Sequence, residues 1–109
     1  MGEHRSPIFL RKKRGTHMSK LIINTDDFGL HTAVNEGIIS GHTKGVITST
    51  SLLASGAAFN EAVEMAKKYP KLGIGIHIAL VGGLNPVSDP SEIPTLVTKE
   101  GVFVDSYVE

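Results

Sequence analysis

Residues 72–80 read Leu-Gly-Ile-Gly-Ile-His-Ile-Ala-Leu, and this stretch decides the fold. Side chains on a β-strand alternate between its two faces. One face of a strand here is therefore Ile74, Ile76, Ile78 and Leu80, and the other is Gly73, Gly75, His77 and Ala79. The aliphatic face is expected to pack against helices. The second face is bare except for an imidazole, so it leaves room for something else, and His77 points into that room.

Working back from this strand, residues 57–69 form a helical pattern with Phe59, Val63 and Ala66 on one side, ended by Pro70. Residues 46–53 are rich in β-branched side chains and predict a second strand. Another helix follows Thr32, its expected N-cap, with Val34, Ile38 and Gly41 on one face and Gly45 as its stop. Leu21-Ile22-Ile23 predicts the first strand, running into the polar string Asn24-Thr25-Asp26-Asp27. Beyond Leu80 the pattern dissolves into a loop holding Pro86, Pro90 and Pro94. Thr98-Lys99-Glu100-Gly101 predicts a tight turn between two short extended pieces.

The order is βαβαβ, which implies α/β architecture with parallel strands and right-handed crossovers. Three parallel strands leave open edges, and parallel sheets need cover on both faces. The expected fold is therefore the opening βαβαβ portion of a larger α/β barrel-like domain. The chain has 109 residues and mass enough for one small domain. Such a chain buries about 65% of its extended surface on folding.

The formal net charge of zero conceals two unlike parts. Residues 1–18 carry five basic side chains against Glu3, a balance of +4, whereas residues 19–109 carry −4. This leader has no helical or strand period, and Met18 sits just before the first strand. It is expected to be an expression tag or a disordered segment, with residues 19–109 as the domain. The acidic body argues against a nucleic-acid surface. No apolar run approaches the roughly 18 residues of a membrane span. Absence of cysteine excludes disulfides and thiolate sites and fits a reducing, cytoplasmic compartment.

Asp26 and Asp27 close the first strand, at the end where α/β folds place reactive groups. Adjacent residues on an extended chain should diverge, one carboxylate entering a metal's coordination shell while the other faces substrate or water. The bland alternative is a polar turn with one Asp capping the helix. A lone His in an apolar strand is more often a satisfied core residue. The Gly and Ala around His77, and the nearness of a third strand to a first, favour a ligand. His31 and His42 are weaker candidates. Asp27-Phe28-Gly29 matches a kinase metal-binding tripeptide without the rest of that signature, and no phosphate loop or GxSxG setting occurs.

Four segments appear in order: Asn24-Thr25-Asp26-Asp27-Phe28-Gly29, Val34-Asn35-Glu36-Gly37-Ile38, Gly45-Val46-Ile47-Thr48-Ser49-Thr50-Ser51 and residues 73–80. Together they resemble the YdjC-like carbohydrate deacetylases, which include chitooligosaccharide deacetylases. The resemblance implies a hydrolase dependent on a divalent metal, removing N-acetyl groups from small acetylated oligosaccharides. It further implies a deformed barrel and a homodimer. By position, Asp27 and His77 would be metal ligands and Asp26 the general base. Magnesium is the metal implied, and a mixed carboxylate and imidazole set also admits zinc. Thr25 stands where the family often has alanine. A further metal-binding histidine belongs to a part of the family with no counterpart here, so this chain is expected to be an incomplete portion. The alternatives are a magnesium-dependent phosphohydrolase using the Asp pair, which would need a basic residue such as Lys44 or an anion loop such as Gly82-Gly83 nearby, and a non-catalytic fragment that self-associates.

Overall fold

In the computed structural model, residues 19–106 are described; the leader expectation falls outside them. The elements run β1 (Asn24–Phe28), α1 (Thr32–Lys44), β2 (Ser49–Leu53), α2 (Phe59–Lys68) and β3 (Gly73–His77), followed by a 3-10 turn at Pro90–Glu92. The strands form one parallel sheet in the order β1-β2-β3. This is the α/β arrangement expected of the opening of a (β/α) barrel, with each helix carrying the chain back to begin the next parallel strand.

The first strand is displaced from its expected place. Leu21 and Ile22 are 71% and 76% exposed, because the ladder begins only at Asn24, opposite Ser49. Asp26 and Asp27 therefore lie inside β1, which closes just after them at Phe28. The helix start is also displaced by one residue. His31, extended at φ −154°, is the N-cap of α1, its Nδ1 accepting from the Ala33 N–H at 3.1 Å. Thr32 opens the helix, and its hydroxyl donates instead to Glu61 Oε2 at 2.7 Å.

One apolar cluster holds the layers together. Phe28 from β1, Ile38 and Ile39 from α1, Ala62 from α2 and Leu72 before β3 are buried, with Val34, Ile47, Leu52, Met65, Ala66 and Tyr69 packed against them. His42, in the last turn of α1, donates from Nδ1 to the Ile47 carbonyl (2.9 Å) and meets Tyr69 edge to face. It is a structural residue.

The aliphatic face of β3 does not pack as expected. Ile74 is 43% and Ile76 83% exposed, and Ile78 and Leu80 beyond the strand stay open as well. Both helices cover β1 and β2, and among the described residues no helix follows β3 to cover it. The segment after β3 folds back on itself. Gly101 at φ 80° closes the turn, its N–H donating to the Thr98 carbonyl at 3.0 Å. Val97 bridges Phe103 antiparallel across it, as the sequence predicts. No helix among the described residues is long and apolar enough to cross a membrane.

Candidate metal centre

The site grows from an irregularity in β1. Thr25 aligns with Thr50 and Phe28 with Leu52, so three steps along β1 match two along β2. Such a bulge places two residues, Asp26 and Asp27, opposite one. Asp27 takes a left-handed backbone at φ 67°, the one positive φ at a non-glycine position among the described residues. For an L-residue this conformation costs about 1–2 kcal/mol, least for Asn and Asp.

The bulge corrects the expectation that the two carboxylates diverge. The Ser51 hydroxyl donates to Asp26 Oδ1 through a short hydrogen bond, and Asp27 Oδ1 lies 3.3 Å from His77 Nδ1. Ser51 aligns with Gly75, two residues before His77, so Ser51 and His77 project from the same side of the sheet. Both carboxylates are therefore on one face, the sparsely filled one that carries His77. Phe28, immediately afterwards, turns into the core with no exposure.

β1 and β3 flank β2, so their backbones are roughly 10 Å apart. The Asp27 and His77 side chains close that gap at the carboxyl end of the sheet, 50 residues apart in sequence. His77 Nδ1 also stands 3.3 Å from the Asp27 amide N–H. One imidazole nitrogen cannot accept from that amide and donate to the carboxylate at once. The neutral Nε2–H tautomer favours the amide, and a proton on Nδ1 favours the carboxylate.

A hydrogen-bonded row extends along the same face. Asn24 Nδ2 donates to Asp26 Oδ1 at 3.5 Å, and the Ser49 hydroxyl donates to Asn24 Oδ1 at 2.8 Å. Gly75 leaves open space there, since a β-carbon on it would meet only the Thr50 carbonyl, at 3.9 Å. A cleft of about 360 Å³ opens beside His77, walled by Ile78, Asn85, Val87, Ile93 and Phe103.

Asp27 and His77 fit a divalent cation as a partial ligand set. Two ligands each about 2.1 Å from one ion lie roughly 3.0–3.4 Å apart at octahedral to tetrahedral angles, which brackets the observed 3.3 Å. Among the described residues no third His, Cys, Asp or Glu joins them. Of the features that would mark a phosphate site, one is placed elsewhere and the other is already hydrogen-bonded. Lys44 ends α1, toward the start of β2, at the opposite end of the sheet from His77. In Gly82-Gly83, the Gly82 N–H already donates to the Val104 carbonyl at 2.8 Å.

Sequence reasoning passed over Asn24, Ser49 and Ser51. Their signal is register: on β1 and β2, small polar residues alternate on the side of His77. Asn35 was also missed. It is fully buried and tied to the turn after Asp27 by its Oδ1, which accepts from the Gly29 N–H at 2.7 Å.

Residues 20–109 match the family described as YdjC-like protein. The chain belongs to the YdjC-like family. It is 44% identical over 84 residues to a carbohydrate deacetylase of Halalkalibacterium halodurans, covering 77% of this chain and 34% of that protein. It is also 44% identical over 83 residues to a chitooligosaccharide deacetylase of Salmonella paratyphi B, covering 76% and 31%. A crystal structure from Enterococcus faecalis V583, of a protein assigned to cellobiose-phosphate cleavage, superimposes with a TM-score of 0.75 at 40% identity, covering 80% of this chain and 34% of the other. The chain thus spans about a third of the length of the curated relatives it matches.

Proposed function

We propose that this YdjC-like chain carries the first half of a deacetylase centre that hydrolyses the N-acetyl groups of small, chitooligosaccharide-type sugars with the help of a divalent cation. The observation that carries the reading is the 3.3 Å approach of Asp27 Oδ1 to His77 Nδ1 at the carboxyl end of the sheet, with Asp26 on the same face.

Asp27 and His77 would hold the cation, magnesium by resemblance or zinc by the nitrogen donor. The chemistry such an ion supplies is a lowered pKa for bound water and polarisation of the acetyl carbonyl. Asp26 acts as general base, taking the proton from the attacking water. Asn24 and Ser51 both donate to its Oδ1, which fixes the carboxylate and leaves Oδ2 as the proton acceptor. Attack on the amide carbon, cleavage of the C–N bond and delivery of that proton to the departing nitrogen yield acetate and a free amino sugar. The cleft beside His77 admits the sugar, and the resemblance implies a homodimer.

A chimera tests this reading: residues 20–106 replace the matching third of the H. halodurans deacetylase, and acetate release from di-N-acetylchitobiose is measured with added magnesium. Acetate release that disappears in Asp26→Asn and His77→Ala supports it. A folded chimera that releases no acetate, or one unaffected by His77→Ala, contradicts it.

A further inference from the structure

The least expected residue in the core is Asn35. It sits in the first half of α1, has no exposure, and is a poor helix former in a position where an aliphatic side chain would pack. A polar residue that breaks the local rule at a fully buried position points to a role beyond packing. Its three hydrogen bonds describe that role. Oδ1 accepts from the Gly29 N–H at 2.7 Å, while Nδ2 donates to the Ala58 carbonyl at 3.2 Å and to Glu61 Oε1 at 3.3 Å. Glu61 is fixed in turn by the Thr32 hydroxyl on its other oxygen, at 2.7 Å.

Gly29 is two residues from Asp27, and both have positive φ, 101° and 67°. Between them Phe28 is locked in the core. The Leu30 N–H closes the turn on the Asp27 carbonyl at 3.0 Å, and the Ala58 N–H holds the Gly29 carbonyl at 2.9 Å. Asn35 and Ala58 therefore grip both polar groups of Gly29, and Asn35 also grips Ala58. The Asp27 carboxylate springs from the first residue of this turn.

We infer that Asn35, oriented by Glu61, is a positioning residue for the cation site: it holds the Asp27–Gly29 turn so that the Asp27 carboxylate meets His77. The inference rests on the proposed metal reading only for its consequence in cation binding. The geometric part, Asn35 governing the Asp27–His77 contact, stands without it.

The test uses the full 109-residue chain with ¹⁵N-labelled histidine, at one fixed pH and without metal. Asp27→Asn defines how the His77 ring nitrogens shift when the carboxylate is lost. Asn35→Ala is expected to shift them in the same direction. Glu61→Ala, which leaves Gly29 and Ala58 bonded but removes one of the two acceptors of the Asn35 amide, should give a smaller shift of the same kind, and Glu61→Gln, which restores an acceptor, should reverse it. This second pair decides the matter if Asn35→Ala does not fold. A purely structural role would lower the melting temperature of these variants while leaving the His77 signals of the folded protein unchanged, and that result overturns the inference.

A parallel Mn²⁺ titration separates the two claims. Positioning of a metal ligand predicts affinity about 10–100-fold weaker in Asn35→Ala, with Glu61→Gln near the unmodified chain. Absence of Mn²⁺ binding that depends on Asp27 refutes the metal reading, while the His77 shifts still decide the role of Asn35.

Discussion

Gly56 lies with its Cα against the carbonyl oxygen of Gly29, so closely that a β-carbon there would overlap that oxygen. The constraint is space, since the neighbouring atoms are backbone and cannot swing aside. Gly56→Ala must push the β2–α2 loop away from the turn that follows Asp27. Overpacking of this kind costs about 1–3 kcal/mol. Urea unfolding of the variant should show a midpoint lowered accordingly, and an unchanged midpoint would show that the loops are not in contact.

Burial separates the aliphatic residues sharply. Ile38 is 4% exposed in the central cluster, whereas Ile76 is 83% exposed on the uncovered side of β3. Ile38→Ala should cost about 2–5 kcal/mol, and Ile76→Thr no more than about 0.5 kcal/mol in either direction. Thermal melts of the two variants check the contrast. Equal losses would mean that β3 is covered on that face in solution.

The loop after β3 carries a pH-sensitive cap. The Ser91 hydroxyl foremost, and then the Ser91 N–H, hold the Asp89 carboxyl below its ordinary value of 3.8. The hydroxyl and amide distances are 2.7 and 2.9 Å. A depressed folded pKa contributes stability that is present above the ordinary value and lost as pH falls through the lowered one. In an NMR titration the Asp89 carboxyl should have its midpoint below 3.8, and Ser91→Ala should move it upward. A midpoint unmoved by Ser91→Ala would remove the hydroxyl as the main cause.

Ser51 holds the proposed general base. A hydrogen bond to a charged group is worth about 1.5–3 kcal/mol, so Ser51→Ala should lower kcat for acetate release by the deacetylase chimera by roughly tenfold or more. KM should change little, because Ser51 meets Asp26 and not the sugar. A change confined to KM would place Ser51 against substrate instead.

The strand and helix order was legible in the sequence because each element carries its own period, as in Ile74, Ile76 and Ile78. So was the turn at Gly101. Three features were not legible, each for a physical reason. The convergence of Asp26 and Asp27 depends on a bulge, which adds one residue to β1 without any mark that strand alternation can show. The exposure of Ile76 depends on which strands the helices cover, a tertiary fact that an aliphatic run cannot report. Asn35 reads as a polar interruption of a helix face, and its worth becomes visible only when Gly29, Ala58 and Glu61 surround it.

The proposal that Asp27 and His77 share a cation is tested most directly by paramagnetic broadening. Mn²⁺ is added in small steps to the ¹⁵N-histidine-labelled chain, and the five His residues are followed together. Selective broadening of His77 that vanishes in Asp27→Asn, with His31 and His42 unaffected, is the predicted result. A His77 signal that stays sharp while Mn²⁺ binds, or broadening that persists unchanged in Asp27→Asn, would contradict it.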